Sequence, residues 1–165
     1  MNPGTPRVGV GYDVHRLAPR RRLMLGGVHI PYRLGLLGHS DADVLIHAVC
    51  DALLGAASLG DIGKHFPDSS RKYKNISSLV LLGRVRKLIA DRDFEIVHID
   101  STLILQQPKI QQYVPRMQRN VARVLGIRAD QVSIKATTSE GLGFAGRGEG
   151  GAALAVATVL PFHKH

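Results

Sequence analysis

Aspartate and histidine residues with the spacing of metal ligands occur in the first third of the chain. Asp13 and His15 are two positions apart in an alternating segment, so in a strand both side chains point to the same face. His47 lies one helical turn from Asp43 and from Asp51, in a segment whose apolar residues have helical spacing. Imidazole nitrogens and carboxylate oxygens are ligands of zinc, and three protein ligands with an open position are typical of catalytic zinc. The sequence therefore predicts a divalent-metal site at Asp13, His15 and His47.

Three neighbours of the predicted site have alternative interpretations. Asp43 and Asp51 are placed to hydrogen-bond and orient a ligating imidazole of His47. Cys50 is either a thiolate ligand or a small buried hydrophobic residue, and we favour the second because three ligands are already present. The alternative for the metal residues themselves is that Asp13 and His15 form an ordinary surface pair and that His47 bonds a nearby carbonyl.

A glycine-rich segment, 135–151, carries a second group of candidate residues. Hydroxyl groups and backbone N–H groups in this segment can hold phosphate oxygens, and Glu140 can hold a hard cation that bridges them. Residues 141–146 match the pattern G-x-G-x-x-G, but too little chain follows for the helix and second acidic strand of a dinucleotide-binding fold. We therefore favour a phosphate site with a second cation, since two cations on one polyphosphate neutralise the charge of phosphoryl transfer.

The elements that must position these residues follow from periodicity and turn residues. Ser40 and His39 stand at the start of the first predicted helix, where the backbone N–H groups favour an anion. The predicted elements are a strand at 7–15, a hairpin at 23–32, a helix at 40–58 capped by Ser40, a polar loop at 61–75, a helix at 77–91, a strand at 95–105, a helix at 110–126, and strands at 132–137 and 152–160. This order predicts a two-layer α+β domain with helices packed on one face of a mixed β-sheet, of ferredoxin-like type, plus a small N-terminal hairpin.

The composition limits the classes of function. A length of 165 residues fits a single domain, 1–165, whose ends at 1–6 and 162–165 we expect to be disordered. The net charge of +9 predicts an anionic partner, either a nucleic acid or a phosphorylated small molecule. A single cysteine excludes an intramolecular disulfide. Because the sequence has neither a long apolar run nor a leader, we expect a cytoplasmic protein without membrane association.

Five segments resemble the 2-C-methyl-D-erythritol 2,4-cyclodiphosphate synthase family of the non-mevalonate isoprenoid pathway. They are GYDVHRL (11–17), GGVHIPY (26–32), GHSDADVLIHAVCDALLGAASLGDIGKHFPD (38–68), DSTLILQQPKI (100–110) and KATTSEGLGFAGRGEG (135–150). The resemblance implies a homotrimer with active sites between subunits. It implies the substrate 4-diphosphocytidyl-2-C-methyl-D-erythritol 2-phosphate, whose 2-phosphate attacks the β-phosphorus so that CMP leaves and the cyclic diphosphate forms. It also implies Zn²⁺ on Asp13, His15 and His47, and Mg²⁺ or Mn²⁺ on Glu140 with the substrate diphosphate.

The resemblance also implies roles for individual residues. His39 and Thr138 match positions that stabilise the transition state. The remaining implied substrate contacts are Asp13, Val14, His15, Ser40, Asp61, Ile62, Gly63, Phe66, Pro67, Asp68, Ser69, Ser70, Thr137, Ser139, Glu140, and the cytidine-binding loop Leu105, Gln106, Gln107, Pro108, Lys109, Ile110 and Gln111. Phe144, Arg147 and Glu149 match residues that line a central cavity on the trimer axis, where family members hold an isoprenoid diphosphate.

Two rival functions use the same observations. An RNA-binding module would explain the positive charge, but eight aromatic residues and the lack of an RNA-binding aromatic motif speak against base stacking. A metal-dependent phosphohydrolase would use water in place of the internal phosphate and would give a linear product.

Overall fold

The computed structural model describes residues 4–162, and within them seven strands form one mixed sheet and one hairpin. The strands are β1 (Arg7–Ala18), β2 (Leu23–Leu25), β3 (Val28–Ile30), β4 (Gly35–Leu36), β5 (Phe94–Ile104), β6 (Val132–Thr137) and β7 (Gly150–Pro161). The five-stranded sheet has the order β4-β1-β7-β5-β6, in which only the pair β5 and β6 is parallel among the described strands. β2 and β3 form the predicted hairpin.

The helices of the described residues cover one face of this sheet, which confirms the two-layer α+β prediction. They are α1 (Val44–Ala56), α2 (Ile62–His65), α3 (Ser78–Ala90), α4 (Val114–Leu125) and α5 (Gly143–Gly146). α1 packs on β1 and β7, α3 packs on α1 and β5, and α4 packs on α3 and β6. No helix within residues 4–162 is long and apolar enough to cross a membrane.

Glycines on β1 allow α1 to approach the sheet very closely. A Cβ atom added at Gly11 would lie 1.9 Å from the carbonyl oxygen of Ala48, and one added at Gly9 would lie 2.1 Å from that of Ala52. Only glycine permits this distance between a strand and a helix backbone. Because β1 carries Asp13 and α1 carries His47, the close packing brings the two predicted metal ligands together.

The predicted start of the first helix is wrong by four residues. The helix begins at Val44, and Asp43 rather than Ser40 is its N-cap, since the Asp43 side chain accepts from the backbone N–H of Ile46. The Ser40 hydroxyl instead accepts from the N–H of Ala42, inside the preceding loop. At the other end the helix stops at Ala56, two residues short of the prediction.

The other differences between the predicted and observed elements each affect a few residues. The predicted loop at 61–75 contains α2 and a single 3₁₀ turn at Arg71–Tyr73, and β4 was not predicted. The predicted helix at 110–126 starts with a 3₁₀ turn and becomes α-helical only at Val114, while Gly126 ends it with φ of 70° as predicted. Of the ends that we expect to be disordered, residues 1–3 and 163–165 lie outside the described part of the chain.

Candidate metal centre and active site

The three predicted metal ligands converge on one point. Oδ2 of Asp13 lies 2.9 Å from Nε2 of His15 and 3.0 Å from Nδ1 of His47, and the two ring nitrogens are 3.2 Å apart. β1 presents Asp13 and His15 on the same side, as their spacing predicts, and α1 presents His47 from the opposite layer. Within the described residues this trio is the one group of three or more histidine, cysteine or acidic side chains close enough together to hold a metal ion.

The donor chemistry of the trio suits a cation. Nδ1 of His15 donates to the carbonyl oxygen of Leu37 at 2.9 Å, so Nε2 is the His15 nitrogen that faces the other two candidate ligands. Carboxylate oxygens and imidazole nitrogens are the atoms through which aspartate and histidine bind metal ions. Tetrahedral zinc with bonds of about 2.0–2.1 Å places neighbouring ligand atoms about 3.3 Å apart, close to the observed separations. The site therefore fits zinc in the separation and type of its three candidate ligand atoms.

The electrostatics of the trio keep Asp13 ionised. Burial by itself raises the pKa of Asp13, but the hydrogen bonds and charges of His15 and His47 outweigh it and lower the pKa to about 2. Burial lowers the pKa of His47, while the bond to Asp13 and the charges of Asp13, Asp43 and Asp41 raise it, with a net increase. The ionised Asp13 carboxylate is therefore a suitable ligand for a cation.

The groups that orient His47 are not those that we predicted. Asp43 caps its helix and Asp51 lies on it, but both carboxylates accept from backbone N–H groups and not from the His47 ring. Nε2 of His47 is instead 3.0 Å from the hydroxyl oxygens of both Ser40 and Ser78. The sequence gives no local signal for Ser78, which is 31 positions away and reaches His47 from the start of α3.

Asp43 joins the hairpin to α1. Its two carboxylate oxygens accept from Gly26 at 3.0 Å, from Gly27 at 2.7 Å and from Ile46 at 3.2 Å. Burial is the strongest influence on Asp43, followed by the charge of Asp41, and together they raise its pKa to about 7 despite these three donors. Asp43 therefore supports the trio through the fold rather than through contact with the His47 ring.

Cys50 is buried inside α1, as we predicted, and is not a member of the trio. Burial, followed by the nearby charges of Asp51, Asp43 and Asp13, raises the pKa of its thiol well above the usual value. These observations favour the interpretation of Cys50 as a small core residue.

A cavity of about 330 Å³ opens beside the trio. His39 lines it, and Nε2 of His39 donates to the carbonyl oxygen of Ser70 at 3.0 Å, which ties the two flanking loops together. The other lining residues are Asp13, His15, Gly38, Ser40, His47, Ile62, Gly63, Phe66, Asp68, Tyr73 and Leu81. Gly38, Tyr73 and Leu81 were not among our predicted site residues, because sequence spacing singles out none of them.

A second, separate cavity of about 180 Å³ contains much of the predicted cytidine loop. It is lined by Leu105, Gln106, Pro108, Lys109, Ile110, Gln111, Ala136, Thr137 and Thr138. Glu140 lies just beyond it, exposed, with φ of 53° and with Oε1 3.3 Å from the hydroxyl of Thr138. Among the described residues the two cavities have no lining residue in common, so one chain carries the two halves of the predicted site apart from each other.

A model of the YgbB family matches residues 6–160. This chain belongs to the YgbB family. Two relatives, from Alkaliphilus metalliredigens and Clostridium novyi, are 60% identical over 153 residues and 61% identical over 144 residues. The first alignment covers 93% of this chain and 96% of the relative, and the second covers 87% and 92%.

Both relatives are 2-C-methyl-D-erythritol 2,4-cyclodiphosphate synthases. Their similarity supports cyclodiphosphate synthase activity in isoprenoid biosynthesis for this YgbB-family chain. The resemblance to the cyclodiphosphate synthase family is confirmed.

Solved structures agree with the family assignment. The bifunctional IspDF of Campylobacter jejuni matches with a TM-score of 0.93 and 42% identity over 96% of this chain, which spans 43% of that longer protein. The IspF of Plasmodium falciparum, solved as a CDP complex, matches with a TM-score of 0.84 and 32% identity over 97% of this chain and 99% of that one.

The face of the sheet opposite the helices exposes apolar side chains. Val8, Val10 and Tyr12 of β1 are more than half exposed, and Leu154 pairs with Tyr12 on the adjacent strand β7. At one end of this face Phe144 is exposed, and the Arg147 guanidinium donates to Glu149 at 2.9 and 3.3 Å. We name the set Val8, Val10, Tyr12 and Leu154 the open sheet face.

Proposed function

We propose that this YgbB-family chain converts 4-diphosphocytidyl-2-C-methyl-D-erythritol 2-phosphate to 2-C-methyl-D-erythritol 2,4-cyclodiphosphate and CMP. An oxygen of the 2-phosphate forms a bond to the β-phosphorus, and the bond from that phosphorus to the CMP phosphate oxygen breaks. In class the reaction is that of a phosphorus–oxygen lyase. The observation that carries the proposal is the convergence of Asp13, His15 and His47 within 3.2 Å beside an open cavity.

Two cations are part of the proposal. Asp13, His15 and His47 would hold Zn²⁺ with a fourth position open to a phosphate oxygen. Glu140 would hold Mg²⁺ or Mn²⁺ together with the diphosphate, since an exposed carboxylate suits a hard cation that keeps several other oxygen ligands. Bound cations withdraw charge from phosphate oxygens and so make the phosphorus a better electrophile.

The protein itself positions the reacting groups. His39 lines the cavity beside the trio, with its ring held by Ser70, and would stabilise the transition state at the phosphate under attack. The methylerythritol phosphate portion would contact Ser40, Asp61, Ile62 and Gly63. Val14 and the loop beyond these residues, Phe66, Pro67, Asp68, Ser69 and Ser70, would also contact the substrate. Thr138, with the hydroxyls of Thr137 and Ser139, would stabilise the diphosphate from the other cavity.

The cytidine would occupy the loop Leu105 to Gln111. A cavity at this loop and the CDP complex of the Plasmodium falciparum relative support this assignment. Recognition there would use mainly backbone groups of the loop.

We further propose a homotrimer whose active sites form between neighbouring subunits. Support comes from the separation of the two cavities in one chain and from the open sheet face, because an exposed apolar patch is typical of an interaction surface. Phe144, Arg147 and Glu149 would then surround the trimer axis and could hold an isoprenoid diphosphate. A cytoplasmic location, without nucleic-acid or membrane partners, is part of the same proposal.

Release of CMP from the substrate, followed by chromatography, tests the reaction. A complementation experiment tests where the site lies: His47→Ala and Glu140→Gln chains are each produced alone and then co-expressed. If sites form between subunits, mixed oligomers regain activity, because some sites combine an intact trio with an intact Glu140. Co-expressed chains that stay as inactive as the single variants would contradict shared sites.

A further inference from the structure

Ser78 and Asp41 hold the far side of the His47 imidazole. Nε2 of His47, the nitrogen that faces away from the metal trio, is 3.0 Å from the Ser78 hydroxyl oxygen. Ser78 is completely buried at the first position of α3, and its hydroxyl is in close contact with Oδ1 of Asp41. A continuous chain of contacts thus runs from Asp41 through Ser78 to His47.

The direction of proton donation along this chain follows from the other partners of Asp41. Oδ1 accepts from the backbone N–H of Asp43 at 3.2 Å, and Oδ2 accepts from the backbone N–H of Ser78 at 3.0 Å. Because backbone N–H groups only donate, both carboxylate oxygens act as acceptors. The Ser78 hydroxyl therefore gives its one proton to Asp41 and presents a lone pair to His47.

We propose that Ser78, oriented by Asp41, is a positioning residue that keeps a proton on Nε2 of His47 and leaves Nδ1 free to bind the metal. A ligating imidazole whose other nitrogen donates to a fixed acceptor has its tautomer and ring orientation set by that acceptor. The inference rests on the proposed metal site at Asp13, His15 and His47.

Ser40 does not fix the position of the His47 proton in the same way. Its hydroxyl oxygen is also 3.0 Å from Nε2 of His47 and accepts from the N–H of Ala42 at 3.2 Å. This arrangement leaves the Ser40 proton available, so Ser40 is able either to accept from Nε2 or to donate to it. If Ser40 donated, the His47 proton would sit on Nδ1 and would bond Asp13 in place of a metal. Only Ser78, whose proton is committed to Asp41, opposes that tautomer.

Two variants and a matched control test the proposal. Ser78→Ala removes the acceptor, and Asp41→Ala frees the Ser78 proton to donate to Nε2. Ser101→Ala is the control, because Ser101 is also a buried serine, with its hydroxyl donating to the carbonyl oxygen of Ser133 at 3.1 Å, away from the metal trio. The ¹⁵N shifts of labelled histidine in metal-free protein, in alkaline buffer, report which His47 nitrogen carries the proton. Titration with Co²⁺, followed by its absorption spectrum, reports metal affinity.

We expect Ser78→Ala and Asp41→Ala to lower the population with the proton on Nε2 and to weaken Co²⁺ binding by about 10–100-fold. Ser101→Ala should match the unaltered protein in both measurements. An unchanged tautomer population or an unchanged Co²⁺ affinity in either variant overturns the role of Ser78; Asp41→Ala supplies this test even if Ser78→Ala fails to fold. His47→Ala separates the two claims: Co²⁺ affinity that survives this change contradicts the metal site itself, not only its positioning by Ser78.

Discussion

Oδ2 of Asp13 and Nδ1 of His47 are 3.0 Å apart although 34 positions separate the two residues in the chain. The contact exists because glycines on β1 let α1 lie directly on the strand that carries Asp13. The candidate metal centre therefore depends on the packing of one helix against one strand, and changes to either should alter metal binding.

Replacement of His47 by alanine should remove bound zinc and nearly all turnover, because a site with two remaining protein ligands binds zinc poorly. Zinc content per chain and CMP release measure the two effects. His29→Ala is the control, since His29 is exposed on β3, outside the described trio. Full zinc content in His47→Ala would refute the assignment.

Replacement of Glu140 by glutamine should leave zinc content unchanged and abolish the dependence of activity on added Mg²⁺ or Mn²⁺. The amide keeps the shape of the side chain but removes the charge that attracts a hard cation. Rates measured across a series of cation concentrations provide the test, with Glu95→Gln, an exposed glutamate on β5, as the control. A titration curve like that of the unaltered protein would exclude Glu140 as the cation ligand.

Gly11→Ala should destabilise the fold by about 1–3 kcal/mol, because the new methyl group would lie 1.9 Å from the Ala48 carbonyl oxygen and would force α1 away from β1. Metal affinity should fall with it. Gly55→Ala, on the same helix, is the control: its added Cβ would have no neighbour nearer than 3.9 Å, and alanine should stabilise the helix by up to about 1 kcal/mol. Urea unfolding and Co²⁺ titration of both variants give the comparison. Equal stability of the two variants would contradict the packing argument.

Without metal, the unaltered protein should unfold with a larger free energy than the Asp43→Asn variant at low pH. This difference in unfolding free energy should decrease as the pH rises. Burial raises the pKa of Asp43 from 3.8 to about 7 in the folded protein. A group with a raised folded pKa contributes stability that is complete below the unfolded value and is lost as the pH rises through the folded value. The difference in unfolding free energy should therefore fall by a few kcal/mol between about pH 4 and pH 7. Urea unfolding across this range measures it, and a constant or growing difference would be inconsistent with a raised pKa.

Val10→Asp should disrupt the proposed trimer, since it places a charge on the open sheet face. We expect light scattering to give a smaller mass and CMP release to fall, while zinc content stays unchanged because the trio lies within one chain. Val80→Asp on α3 is the control, because Val80 is 48% exposed on the helical layer. A monomeric mass for the unaltered protein would contradict the proposed assembly.

The sequence predicts those features of the fold that depend on residues near one another in the chain. Alternation predicts that Asp13 and His15 share a face, and Gly126 predicts the end of α4. The role of Asp43 was not predictable, because it depends on the position of Gly26 and Gly27 after the hairpin has folded onto α1. Ser78 likewise reaches His47 only through the packing of α3 against α1. Tertiary contacts of this kind leave no periodic signal.

The candidate site also has one part that the sequence predicts and one part that it does not. Sequence spacing identifies the trio, and the structure brings it together. The residues of the second cavity, from Leu105 to Thr138, form their own group, and spacing within one chain gives no information about how a neighbouring subunit would complete the site.

Phosphorus NMR of the zinc- and magnesium-loaded protein, mixed with 4-diphosphocytidyl-2-C-methyl-D-erythritol 2-phosphate, tests the central claim most directly. The proposed reaction predicts two coupled doublets from a cyclic diphosphate together with the signal of CMP. CMP with a linear product would show that water, not the internal 2-phosphate, attacks the β-phosphorus. An unchanged substrate spectrum with both metals bound would contradict the proposed activity.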